Sequence, residues 1–307
     1  MRIFQKITSE RPSAQRTEPE KKSPAQEKEE RIIREQNKKA LELSCYVCGA
    51  GAFGVFFRWL QDQTAFNEAG LAEKSVFHVL VPLFILAVAL YFLRYVDRTR
   101  NDRWHLPEDF CGALENKGTL FTVFRWLAGG MMCVGALLLL ADCETDKQAG
   151  MLRVLALLGL LSGLAYPLLL TAANHPVSRP RLLCLLSFLP ILMFAFWLIT
   201  SYKMNDINSV VWSYAIEIVA VIAAMLAFFR LAGFAFGAPN AWRSMFAAMF
   251  GTFLCVMTLA DERYLGMQLM LLSSALMLVL WNWIMVKNLR QKEQQAEVQP
   301  EDGFERL

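Results

Sequence analysis

The sequence predicts an all-α integral membrane protein, a bundle of eight transmembrane helices with both termini in the cytoplasm. Three observations carry this. Hydrophobic residues make up 55% of the 307 residues and charged residues only 19%. The charges crowd into the termini and into the gaps between long apolar runs, the pattern of a polytopic membrane protein rather than a soluble core. Those gaps, finally, are unequal in positive charge, and that bias sets the orientation.

In chain order, residues 1–22 mix Pro, Ser, Thr and charge and are expected to form a disordered cytoplasmic tail. Residues 23–40 read as a charged cytoplasmic helix. Ser23 caps it, Pro24 suits its first position and Gln26 completes a capping box. Glu27/Arg31, Glu30/Arg34 and Glu35/Lys39 then stand four apart in the favourable order. This helix is expected to run straight into the first span.

The transmembrane domain covers 41–286. Its spans are predicted at 41–60, 76–96, 120–141, 151–173, 181–202, 208–230, 241–260 and 263–286, each near the roughly 20 residues that crossing requires. Pro82, Pro167 and Pro190 fall inside spans 2, 4 and 5, where freed carbonyls can line a site. The cytoplasmic loop 97–119 contains a short helix predicted to start at Pro107 and end by Gly118, lying with Trp104 and Leu106 on the membrane surface, as a structural cover in preference to a docking site. Residues 287–307 form a polar cytoplasmic tail expected to fray.

Loops on the N-terminal side hold Arg98, Arg100, Arg103, Lys117, Arg179, Arg181, Arg230 and Arg243. Those on the other side hold Lys74, Lys147, Lys203 and Arg263 beside nine acidic residues. With eleven more Lys/Arg in residues 1–40, the termini belong inside. No cleavable signal peptide, Asn-x-Ser/Thr sequon or disulfide framework is read, since only Cys143 of the seven cysteines falls outside; a bacterial cytoplasmic membrane is the expected location.

A faint repeat is visible. Residues 119–142 resemble 243–261, and 75–94 resemble 209–230, which implies two parallel four-span halves.

Glu217 is the candidate site residue. Counting eight residues from Ser209 at about 1.5 Å each puts it roughly 12 Å deep, near the middle of the hydrocarbon core. A carboxylate there must be paired, hydrated or protonated. Candidate partners are Tyr214 on its own helix, Ser162, Tyr166, Thr252, Ser273, Ser274 and Asn282. Arg58 lies on the outer side, where positive charge is scarce, within reach of Asp62 or an anion; His78 is placed to join the same vestibule.

Cys45 and Cys48 form a CxxC without the second pair a zinc site needs, and packing beside Gly49, Gly51 and Gly54 explains them better. Gly159/Gly163 and Gly233/Gly237 are read as close-approach sites between helices, and Trp59, Trp126, Trp242, Trp281 and Trp283 as an interfacial belt. No phosphate loop, hydrolase motif or metal cluster is present, so no cofactor or metal is expected and an enzyme ranks last.

Two function classes remain. One is a transporter or permease component for a small solute or ion, with Glu217 at a midplane cavity, broken backbone from spans 2, 4 and 5, and Arg58 at the mouth. The other is a non-catalytic subunit or scaffold, docking a protein partner through the N-terminal helix and loop 97–119. Membrane lipids are the expected surroundings, and a net charge of +3 implies no nucleic-acid surface.

Overall fold

The computed structural model describes residues 24–64, 75–101, 104–107, 109–142, 148–174, 180–205 and 211–291, with the side chains of 24–30, 211–213 and 291 excepted. The predicted tail 1–22, Cys143, His175 and the chain beyond 291 lie outside these residues. Eight helices are long and apolar enough to cross a membrane, and the chain is a multi-pass, membrane-embedded protein. They are α1 (Pro24–Thr64), α2 (Phe77–Asn101), α4 (Thr119–Asp142), α5 (Ala149–Ala172), α6 (Pro180–Met204), α7 (Val211–Ala235), α8 (Ala241–Met257) and α9 (Leu265–Lys287). Helix α1 takes in both the charged residues from Pro24 onward and the first apolar run.

Residues 1–35 form one unit and 36–307 another. Within the second, six helices close a ring. From α4 each packs on the next through α5, α6, α7, α8 and α9, and α9 returns to α4. The α4–α9 seam depends on glycine. A Cβ on Gly266 would stand 2.5 Å from the Gly135 carbonyl, and a Cβ on Gly163 would stand 2.6 Å from Cys133 Sγ in the neighbouring α4–α5 seam. Small residues let these backbones approach where no side chain fits. Inside the ring Phe228 stacks on Tyr166 and Phe194 at 5.4 and 5.7 Å, with Trp281 beside it. Trp281 is therefore core, not part of an interfacial belt.

The helix α2 leans on α8 through Phe84 and Phe92, which meet Phe253 edge-on, and α1 lies close to α8 where Gly51 and Gly54 face Val256 and Met257. Cys45 and Cys48 are exposed, and Cys45 borders an apolar groove of about 420 Å³ between α1 and α2. Among the described residues, the interfaces of α6 with α7 and α7 with α8 have no comparable counterparts of α1 with α2 or α2 with α4. The packing gives the four-span duplication no support.

Three local predictions are corrected. Helices α2, α5 and α6 run through Pro82, Pro167 and Pro190 without interruption, so none supplies broken backbone. Gly233 and Gly237 terminate α7 instead of joining helices. Gly237 has φ +72°, Ala238 N–H donates to the Gly233 carbonyl at 2.8 Å, and Gly237 N–H donates to Phe234 at 3.5 Å, a Schellman stop.

The third concerns loop 97–119. Its short helix, α3 (Phe110–Leu114), starts later than Pro107 because Asp109 caps it, accepting from Gly112 N–H at 2.7 Å. Within the loop Trp104, Leu106, Ala113 and Leu114 are buried, as a structural cover requires. Trp104–His105 (β1) pairs antiparallel with Arg290–Gln291 (β2), so the chain stays ordered past α9.

These connections define two ends of the bundle. The terminal end holds α3, β1 and β2. The hairpin end holds the C-terminal ends of α1, α4 and α6 and the turn between α8 and α9.

Candidate functional site

The hairpin end carries a chain of buried ions. Arg58 stands two turns before the end of α1, with its side chain 2% exposed. Its Nε donates to Asp261 Oδ1 at 2.6 Å and its Nη1 to Gln61 Oε1 at 2.8 Å, while Nη2 lies 3.8 Å from Asp62 Oδ1. Gln61 and Asp62 follow Arg58 at three and four residues, so all three share one helix face. Gln61 Nε2 in turn meets His78 Nδ1 at 3.3 Å, at the start of α2.

Asp261 is positioned by the way α8 ends. Thr258–Ala260 tighten into a 3-10 turn, Asp261 turns extended at ψ 141°, and Gln268 Nε2 holds its carbonyl at 3.1 Å. The segment 261–264 thereby folds back over the helix ends and tucks Arg263 inward, with its side chain 4% exposed. Asp261 Oδ2 accepts from Arg263 Nη2 at 2.7 Å, so one carboxylate bridges two arginines. Distances of 2.6–2.7 Å mark strong charge-assisted bonds, which two desolvated guanidinium groups require.

Glu217 completes the chain. Its Oε2 lies 3.8 Å from Arg263 Nε. Its Oε1 accepts from Ser201 Oγ at 2.8 Å and from Trp197 Nε1 at 3.2 Å, two donors spaced four apart on α6. Glu217 lies in the first half of α7. It stands about 9 Å along α7 from Val211, by helix rise, and faces Ser201, three residues from the end of α6.

Its hydrogen-bond partners also differ from the expected set. Ser162 donates to Leu158, Thr252 to Ala248 and Ser273 to Ala128, while Tyr166 pairs with Ser274. Tyr214 is near but is not among the donors to Glu217; both line one cavity.

That cavity measures about 930 Å³ and is bordered by Arg58, Asp62, Glu217, Asp261, Glu262 and Arg263 together with Trp59, Tyr214, Tyr264 and Met267. Two cations thus face four carboxylates. Among the described residues Arg263 Nε and Nη1 are buried without a hydrogen-bond partner. Such orphaned donors in a low-dielectric wall are costly unless something accepts from them.

The four residues read as a site come together here. Arg58, Tyr214 and Glu217 line the cavity, and His78 joins through Gln61. Asp261, Arg263, Trp197, Ser201 and Gln61 were not anticipated as members. Three of them carried no polar signal stronger than that of any other helix-end residue. The signal for Asp261 and Arg263 was their shared turn with Glu262, the densest charge among the short connections.

Among the described residues, no group of three His, Cys, Asp or Glu side chains is placed to hold a metal ion. Comparison of the chain with family models, with curated proteins and with solved structures finds no match.

Proposed function

We propose that this chain is a transporter or permease component for a small polar solute, with Glu217 as its intramembrane carboxylate. It sits in a cell membrane, of bacterial type by its lack of sequons, with both termini in the cytoplasm. Eight Lys/Arg in the loops of the terminal side against four on the other favour that orientation. The hairpin end, and the cavity with it, then faces outward.

One observation carries the reading. The buried ion chain does not close on itself but borders an open cavity of about 930 Å³, with unsatisfied donors on Arg263. Ion pairs that only brace helices have no need of such a cavity, whereas a solute site combines a cavity with a few placed polar groups. The test is uptake of radiolabelled polar solutes into vesicles containing the purified protein. Glu217→Gln is expected to abolish uptake, or its proton coupling, in a folded protein. Normal uptake by that variant would remove Glu217 from the mechanism.

A second reading, a non-catalytic subunit, is favoured by the continuity of α1, whose charged first turns extend the first span. Deleting residues 1–35 is expected to release a protein partner under that reading. A partner retained by the truncated chain rules out docking through this helix.

A further inference from the structure

We infer that the start of α4 is a binding site for a phosphate oxyanion, held by Arg125 and of the kind an anionic phospholipid headgroup supplies. The inference does not depend on the transporter reading. It concerns the opposite end of the bundle and a residue that borders neither cavity.

Arg125 is a buried cation without a counter-ion. It is 8% exposed, and among the described residues no carboxylate pairs with it. The two arginines of the hairpin end, by contrast, share Asp261. The Arg125 side chain runs back along α4 toward the helix start, the direction a helical Cβ favours, and Nη1 donates to Asn116 Oδ1 at 3.2 Å. That partner is neutral. Asn116 is itself tied to the Leu114 and Leu170 carbonyls, so the guanidinium group is held in place. Nε is enclosed without an acceptor and is out of a ligand's reach. Nη2 is the nitrogen that remains: it makes no hydrogen bond among the described residues, yet unlike Nε it is not sealed from its surroundings. A cation kept this way at the edge of a hydrocarbon layer calls for an anion.

Positive charge gathers at the same place. Arg125 stands six residues into α4, about 9 Å by helix rise, and the helix start adds the partial positive charge of its free N–H groups. Lys287 of α9 reaches across the seam to lie 4.9 Å from the ring centre of Phe121, one turn before Arg125. Lys117, just ahead of α4, occupies Glu115, the carboxylate nearest in sequence. On the outer face of these turns Leu120, Val123, Phe124 and Leu127 are exposed and apolar. A headgroup phosphate at Nη2 therefore has a surface along α4 for its acyl chains. With the termini in the cytoplasm this is the inner leaflet, where basic pockets between helices meet anionic lipids. Free phosphate offers the same oxyanion without the apolar contact.

The test is native mass spectrometry of the full chain from detergent micelles, with dioctanoyl phosphatidylglycerol and dioctanoyl phosphatidylcholine as probes, beside isothermal titration with inorganic phosphate. Phosphatidylglycerol is expected to bind at least about fivefold tighter than phosphatidylcholine, whose trimethylammonium group offsets its phosphate. Arg125→Gln keeps a donor for Asn116 and should abolish that preference. Lys287→Gln should weaken phosphatidylglycerol by about threefold, which keeps the test decisive if the arginine variant does not fold. Arg94→Gln, at an exposed arginine of α2, should change nothing.

Inorganic phosphate binding that is lost in Arg125→Gln, without any preference for phosphatidylglycerol, upholds the oxyanion site and rejects the lipid as its source. No lipid preference together with no phosphate binding overturns the inference. So does phosphatidylglycerol affinity unchanged in either variant, or an equal loss in Arg94→Gln.

Discussion

At the terminal end of the bundle the buried polar groups are mostly neutral, and they answer one another. Asn116 Nδ2 donates to the Leu114 and Leu170 carbonyls at 2.8 and 2.9 Å, and Asn116 N–H donates to Asn174 Oδ1 at 2.8 Å. Asn288 Nδ2 closes the exposed carbonyls of Ala113 and Glu115 at 2.9 and 3.0 Å. At the hairpin end the buried groups are ions, two Arg263 nitrogens among them have no hydrogen-bond partner, and a cavity lies alongside. Each end holds a buried arginine. Arg125 at the terminal end donates to the amide of Asn116 at 3.2 Å, and although its Nε also lacks a partner it borders neither of the two cavities. The difference is one of satisfaction: amides that saturate carbonyls fix a loop onto helix ends, while the ions at the other end are held in partial satisfaction, which is what the transporter proposal builds on.

Substitutions sharpen that comparison in descending order of effect. Asp261→Ala removes the shared counter-ion of two buried arginines and should cost about 3–5 kcal/mol, read as unfolding free energy in mixed micelles. The terminal end should yield less. Asn116→Ala strands two carbonyls and an amide there and is expected to cost about 2–3 kcal/mol, with uptake per folded molecule unchanged. An equal loss of uptake would erase the distinction between the ends.

Gly266→Ala forces a methyl into the α4–α9 seam and should cost about 1–3 kcal/mol by the same assay. Smallest is Trp197→Phe, which deletes the 3.2 Å bond to Glu217 and keeps the ring stacking on Phe194. It is expected to cost about 1 kcal/mol, and a shift in solute affinity larger than the shift in stability would show that this bond aims the carboxylate.

Much of the fold was legible in the sequence because hydrocarbon thickness fixes span length. The observed helices begin and end within a few residues of the apolar runs, apart from extensions at the terminal end such as 97–101 on α2 and 231–235 on α7. Arg58, Glu217, Tyr214 and His78 were legible as polar groups at apolar positions. Their assembly was not. Asp261 and Arg263 sit in a turn, and nothing in their spacing says that the turn folds inward over the helix ends. The place of Glu217 in α7 was legible, but not that Ser201 near the end of α6 and Arg263 before α9 stand beside it. The prolines were ambiguous because a kinked helix and a broken one share a sequence pattern, and neighbouring packing, such as Gly129 making room for Pro167, decides for the commoner, continuous helix.

The most direct test measures unfolding free energy and solute uptake on one preparation of Glu217→Gln. Because Ser201 and Trp197 keep their acceptor, the stability change should stay under about 1 kcal/mol while uptake per folded molecule is lost. A variant that unfolds readily yet transports normally once folded would make the hairpin end a brace like the terminal end, and contradict the account.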